Sequence, residues 1–371
     1  MQWNWQHPDW PRLRYRPDAL AAREAEFLRG SGVAVGAASH LPEDERLTVV
    51  LELIGTEALK TSEIEGETLD RDSVQSSLRR QFGLQADGRR VGPAERGVAA
   101  MLSSVYRNFN GPLTEALLFE WHRELMQGRT DLAQLGGYRA HDDEPMQIVS
   151  GPVYEPKVHF EAPSSTVIPR EMAAFLDWFA ATAPDGAAPL PAMTRAGLAH
   201  LYFESLHPFE DGNGRVGRAI AEMVLAQGAG RPACTALSLV LQRHRSRYYE
   251  ALSAASRSLE VDAWLDWFVD RVLEAQRSAL ASIEFVIHKT RLLDRLRGRL
   301  NLRQEKALLR VMRDGPGGLV GGLSAGKYTA LTGASAATAG RDLAELVEWG
   351  ALVRTGEKRG TRYALPFDPG E

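Results

Sequence analysis

The stretch His207-Pro208-Phe209-Glu210-Asp211-Gly212-Asn213-Gly214-Arg215-Val216-Gly217-Arg218 decides how this chain is read. The run before it, Ala196 to Leu206, is helical by its apolar pattern. Pro208 cannot continue that helix, which leaves His207 at a helix end beside a tight loop. Gly212 and Gly214 tolerate positive φ and a close approach of ligand to backbone, so their N–H groups can converge on an anion. A second helix is predicted from about Arg215 to Gln227, stopped by Gly228, and its N-terminal dipole faces the same loop. Arg215 and Arg218 lie on neighbouring positions of its first turn, where both can grip a polyphosphate. The pattern is that of a phosphate cradle between two helices.

Two more roles follow from chemistry. A carboxylate beside a phosphate cradle is electrostatically wrong unless a cation sits between them, so Asp211 is a candidate Mg²⁺ ligand, while Glu210 is predicted to face solvent. His207 titrates near neutral pH and is suited to take the proton of an attacking hydroxyl as general base. Taken singly, each residue has an ordinary structural explanation: a capping histidine, solvated arginines, an Asp-Gly turn. Together they ask for one explanation. Gly212, Gly214 and Gly217 also satisfy G-x-G-x-x-G, but the dinucleotide fingerprint follows a strand, and this stretch follows a helix.

The segment resembles the Fic signature, H-P-F-x-[DE]-G-N-G-R-x-x-R, and matches it at every specified position. The resemblance implies a mainly α protein with an all-helical Fic core from about Gly111 to Arg257. His207 would then be the base and Asp211 the Mg²⁺ ligand. Asn213 with Gly212 and Gly214 would form the α-phosphate site, Arg215 and Arg218 the β- and γ-phosphate clamps, and Phe209 the anchor of the loop. The implied reaction moves AMP from Mg·ATP to a Ser, Thr or Tyr hydroxyl of a target protein, or of the chain itself. Such proteins align the target on a β-hairpin flap by strand pairing, and Met146 to His159, with Gln147, Ile148 and Val149, stands where the flap belongs. Tyr248 or Tyr249 would pack near the adenine; core packing is the alternative for both. The same site could instead remove AMP or use another nucleotide.

Upstream, Thr61-Ser62-Glu63-Ile64-Glu65-Gly66 resembles the inhibitory-helix motif [ST]-x-x-x-E-[GN]. The resemblance implies a helix over about 43–66 whose Glu65 pairs with Arg218 where the γ-phosphate would lie. By itself the stretch is an acidic helix end with Gly66 as its cap. Thr61 or Ser62 helps hold that helix; the sequence leaves the choice open.

Farther out, helical periodicity recurs at Glu43–Lys60, Thr114–Gln127, Arg170–Ala181 and Asp262–Arg299, and a hairpin is predicted over Met146–Phe160 around Ser150-Gly151-Pro152. The expected organisation is a helical N-terminal region (1–110), the core (111–257), a helical connector (258–300) and a winged helix-turn-helix domain (301–371). The last rests on helices at Arg303–Arg313, near Lys327 and at Ser335–Trp349, and on two short strands around Thr355–Gly360. Between Arg303 and Leu365, ten Lys/Arg face six Asp/Glu. That excess permits DNA contact, and with it a regulator acting through the winged helix, although Arg341 is the only basic residue on the expected recognition helix; protein contact or a homodimer is the other use. Trp3, Trp5 and Trp10 are expected to cap a core. A net charge of -4 over 371 residues gives no global basic field. The single Cys234 excludes an internal disulfide framework and fits a reducing compartment, and no run is apolar enough for a signal peptide or a membrane span, so the expected location is the cytoplasm.

Overall fold

Three- and four-residue apolar spacing sets most of this chain in helix. The structure, a computed structural model, describes residues 2–39, 41–140, 145–150, 157–231, 235–313, 315, 319 and 321–367. Cys234 and the hairpin residues Gly151 and Pro152 lie outside them. The order is α1 (Ala21–Ser39), α2 (Glu43–Ile64), α3 (Arg71–Gln81), α4 (Pro93–Asn108), α5 (Glu115–Leu125), β1 (Gln147–Ser150) and β2 (Lys157–Glu161). Then come α6 (Ile168–Ala181), α7 (Ala192–Leu206), α8 (Asn213–Ala229), α9 (Leu237–Arg243), α10 (Arg245–Ala255) and α11 (Asp262–Arg295). Last are α12 (Leu302–Met312), α13 (Ala325–Thr332), α14 (Ala336–Glu348), β3 (Val353–Thr355) and β4 (Arg362–Ala364). These elements divide into two compact units, Met1–Val33 with Val50–Ala279, and Ala34–Val49 with Leu280–Glu371. No helix among the described residues is long and apolar enough to cross a membrane.

The first unit is built around α7, every residue of which is buried. Several of its polar groups are met by partners on other elements, Arg195 for example by the Phe179 carbonyl at 2.7 Å. Pro191 gives α7 no side-chain cap. Glu24 of α1 supplies one instead, accepting the N–H groups of Met193 at 3.1 Å and Thr194 at 2.7 Å and the Thr194 hydroxyl at 2.8 Å. In the same way Glu57 of α2 accepts the Ser238 N–H at 2.8 Å and its hydroxyl at the start of α9. Helix α8 packs along α7 at Gly217, where a Cβ would come within 2.4 Å of Glu204 Oε1 and 3.1 Å of His200 Nδ1. Gly97 does the same for α4 on α5, since a Cβ there would lie 2.0 Å from the Glu124 carbonyl oxygen.

Strands β1 and β2 pair antiparallel, Gln147 with Glu161, Ile148 with Phe160, Val149 with Val158 and Ser150 with Lys157. The register shift between Ile148 and Val149 leaves His159 as the extra residue of a bulge.

In the second unit, Asn301 and Gln304 form a capping box at the start of α12, with Asn301 Oδ1 accepting the N–H groups of Arg303 and Gln304 at 3.0 Å. The buried Asp342 of α14 accepts from Arg303 at 2.9 Å, from the Tyr328 hydroxyl at 2.8 Å and from Asn301 at 3.2 Å, joining α12, α13 and α14. The hairpin pairs Val353 with Ala364 and Thr355 with Arg362. The stretch Thr355–Gly360, expected to be strand, is mostly the turn between strands: Gly356 sits at φ 69° and Lys358–Gly360 forms a 3-10 turn. The long helix ends at Arg295, four residues earlier than expected, with Gly298 at φ 74° beyond it.

Candidate functional site

The loop between α7 and α8 is held from three sides. His207 caps α7 in the left-handed region, φ 48° and ψ 59°, a conformation that costs free energy for a residue with a Cβ and persists only where the surroundings impose it. Arg139 imposes it: its Nε donates to the His207 carbonyl at 2.8 Å, its guanidinium to the Pro163 carbonyl at 2.5 Å, and its own N–H to the Pro208 carbonyl at 2.9 Å. Phe209 is fully buried and stacks on His122 at 4.2 Å, the anchor expected from the sequence. Asn213 accepts the Phe209 N–H through Oδ1 and donates to the Phe209 carbonyl through Nδ2, each at 2.9 Å.

Both polar atoms of Asn213 are therefore engaged inside the loop. The Asn213 side chain thus shapes the loop, and what the residue offers to an anion is its main-chain N–H. Helix α8 starts at Asn213, two residues earlier than predicted, and runs to Ala229 with Gly230 rather than Gly228 as its left-handed cap. Gly212 precedes it at φ 82°. The first intrahelical bond runs from Val216 to the Gly212 carbonyl at 3.0 Å, so the N–H groups of Asn213, Gly214 and Arg215 make up the open first turn.

Over that turn lies a carboxylate. Glu65 Oε1 is 2.7 Å from the Arg218 guanidinium, and a Cβ on Gly214 would come within 2.4 Å of the same oxygen. Glycine at 214 is what lets an anion sit so close to the backbone. Arg218, 1 % exposed, also donates from Nε to Thr61 Oγ1 at 2.8 Å and to the Thr61 carbonyl at 3.0 Å. That settles the choice left open by the sequence in favour of Thr61; the buried Ser62 hydroxyl has no hydrogen-bond partner among the described residues. Gly66 at φ 84° turns the chain after α2, and its neighbour Glu67 reaches Arg215 at 2.8 Å. Sequence reasoning missed Glu67, since an acidic residue just past a helix end carries no signal of its own.

Asp211 is flanked by cations: Arg129 at 2.6 Å and Arg215 at 3.6 Å, with the Gly212 N–H at 2.5 Å. Burial pushes its carboxyl up, but the Arg129 and Gly212 hydrogen bonds outweigh this and hold it below the usual carboxylate range. An ionised, half-exposed carboxylate beside an anion cradle fits Mg²⁺, a cation that keeps waters and phosphate oxygens and needs only one or two protein carboxylates. Glu210, expected to face solvent, is instead half-buried and accepts the Ala133 N–H at 2.8 Å. The His207 imidazole is pushed down to about 4, by burial first and by Arg139 second, against the opposing pull of Glu65, the Glu204 carbonyl and Asp211. It is therefore neutral at pH 7 and able to accept a proton. Glu204 lies behind it, Oε2 3.9 Å from His207 Nδ1, with its carboxyl pushed up to about 8 by burial and by Glu65 against the pull of Arg218.

The two tyrosines part company. Tyr248, 1 % exposed, hydrogen-bonds His200 Nε2 at 2.8 Å and stacks near Trp267, the core packing given above as the alternative for it. Tyr249, 40 % exposed, donates to the Ile64 carbonyl at 3.3 Å at the end of α2. In the hairpin, Gln147 donates to Glu161 at 2.8 Å, and Ile148 and Val149 are exposed on a strand that pairs only with β2 among the described residues.

Residues 112–225, which contain this loop and hairpin, match the Fic/DOC family. The chain carries a Fic domain. Residues 3–84, which contain Glu65 and Glu67, match a domain of unknown function, DUF4172. Among solved structures, a Fic family protein from Desulfovibrio desulfuricans G20 is 21 % identical, with a TM-score of 0.52 over 94 % of this chain and 96 % of that one. A Fic domain containing signaling protein from Bacteroides thetaiotaomicron VPI-5482 is 18 % identical, with a TM-score of 0.52 over 70 % of this chain and 97 % of that one. Both share the fold. Fic domain proteins are typically transferases acting on proteins, and in this Fic domain His207, Asp211, Arg215 and Arg218 converge on one loop.

Proposed function

We propose that this chain transfers AMP from Mg·ATP to a Ser, Thr or Tyr hydroxyl of a protein, itself included, and that Glu65 restrains the transfer. The observation that carries the reading is the Glu65 carboxylate held by Arg218 at 2.7 Å over the open turn of α8, an anion in an anion's place. A nucleotide whose terminal phosphate took that place would meet Arg218, with Arg215 and the N–H groups of Asn213 and Gly214 beside it. Asp211 would hold Mg²⁺, which when bound neutralises charge developing on the phosphates. The neutral His207 takes the proton of the attacking hydroxyl, the new bond forms between that oxygen and the α-phosphorus, and the bond to pyrophosphate breaks. The exposed edge of β1 aligns the acceptor segment. Most of the rate enhancement then comes from positioning and from charge already in place.

The test is mass spectrometry of wild type, Glu65→Gly, and Glu65→Gly with His207→Ala, each incubated with Mg·ATP. The expected result is AMP on Glu65→Gly alone. Incorporation that survives His207→Ala would remove the base from the mechanism, and none in any of the three would remove self-modification. UTP run in parallel tests the choice of nucleotide.

A further inference from the structure

We infer that the N-terminal turn Trp3-Asn4-Trp5 is a positioning element of the site, one that fixes hairpin strand β2 and the His207 end of α7 to each other. The inference rests on the transferase reading for what the hairpin and His207 do, and on the contacts below for the brace itself.

Each residue of the turn is committed to a different partner. Asn4 is buried and its Nδ2 donates at 2.8 Å to Ser205 Oγ, two residues before His207 in the chain. Ser205 in turn donates to the Leu201 carbonyl at 2.7 Å, tying the contact into α7. The Asn4 N–H donates to the Ser256 carbonyl at 2.7 Å, and its Oδ1 accepts the Trp5 N–H at 2.8 Å, which fixes the asparagine and orients the next residue. Trp5 Nε1 donates to the Glu161 carbonyl of β2 at 2.8 Å. Trp3 packs edge-on against Phe160 of β2 at 5.3 Å, and Phe160 lies 6.2 Å from the His207 ring. Trp3, Phe160 and Ala162 form a small buried cluster with Trp5, Met146 and Val158 packed on it.

Simple core capping does not account for these contacts. A tryptophan that only covers apolar surface needs packing, whereas Trp5 and Asn4 make directed hydrogen bonds to the two elements that must hold acceptor and base in register. A lone two-stranded hairpin is marginal in water and takes its stability from what it packs on. Here the N-terminal turn supplies two directed contacts of that support, the Trp5 hydrogen bond and the Trp3–Phe160 packing. The cradle is built differently, from Arg139, Phe209 and Asn213, so loosening the turn disturbs the acceptor side and leaves nucleotide binding alone.

The experiment compares Trp5→Phe, which keeps an aromatic ring but loses the donor, and Asn4→Leu, each alone and in the Glu65→Gly background. Hydrogen exchange of peptides spanning 145–150 and 157–162 should accelerate about five- to tenfold in both single variants, the scale of one lost buried hydrogen bond. Peptides spanning 211–218 should exchange as in wild type. Affinity for an α,β-methylene ATP probe with Mg²⁺ should stay within about twofold, while AMP incorporation in the Glu65→Gly background falls about tenfold. Unchanged hairpin exchange, or an equal rise in the cradle, overturns the proposal. If Glu65→Gly itself incorporates no AMP, the transferase reading fails, and the exchange data still decide whether the brace exists.

Discussion

A guanidinium as buried as that of Arg218 needs a counter-charge, and in this protein the counter-charge comes from 153 residues away. Partners distant in sequence also meet at Arg215 with Glu67, Asp211 with Arg129, and the His207 carbonyl with Arg139, separated by 148, 82 and 68 positions. That is why His207, Asp211, Arg215 and Arg218 were legible in one short stretch while Glu67, Arg129 and Arg139 were not: the first set shares a contiguous loop, and the second is brought there by folding. Glu67 occupies Arg215 as Glu65 occupies Arg218; on the proposed reading both stand where phosphate would, so Glu67→Ala should tighten nucleotide binding a few-fold with Glu65 intact, measured by calorimetry with α,β-methylene ATP, and a weaker affinity would show that Glu67 supports the cradle instead. Buried titrating groups set the pH limits of the fold. His200 is pushed down to about 3 by burial, so it stays neutral in the fold while the unfolded chain takes up a proton near 6.5. Its contribution to stability is complete above pH 6.5 and is lost as pH falls toward 3. Glu204, pushed up to about 8, works in the opposite sense: its contribution is complete below about 4.5 and is lost as pH rises through 8. Glu204→Gln should therefore flatten the decline of the melting temperature between pH 5 and 8; an unchanged slope would mean that Glu204 is ionised in the fold.

At the scale of elements, periodicity placed α2, α5, α6 and α11 well, because each buries one face and repeats it. Ends were harder. The N-terminus of α8 was set too late because Asn213, which favours turns in isolation, is drawn into the helix by its two bonds to Phe209. The last strands were placed in what is mostly their own turn, since three-residue strands leave too little alternation to locate. Close helix crossings were also invisible in the sequence. Gly97→Ala puts a Cβ into the Glu124 carbonyl and should cost about 1–3 kcal/mol in urea unfolding; a change under 0.5 kcal/mol would show that α4 and α5 separate freely.

For the whole molecule, the match to a domain of unknown function and the match to the Fic family fall on separate stretches, 3–84 and 112–225, yet the first completes the second. Glu24 closes the start of α7, and Glu65 and Glu67 meet the arginines of α8; just beyond the second stretch, Glu57 closes the start of α9. A chain lacking residues 1–84 should therefore lose its cooperative thermal transition by circular dichroism, whereas Glu65→Gly keeps it; a truncated chain that folds and transfers AMP would show that the N-terminal stretch is only a lid. The cap that Glu24 supplies to α7 has a consequence for heredity. A helix whose N-terminal N–H groups are satisfied by another region cannot be recombined without that region. Shuffling of this Fic domain among proteins should carry residues 3–84 with it, and a chimera that replaces them must bring its own acid to Met193 and Thr194.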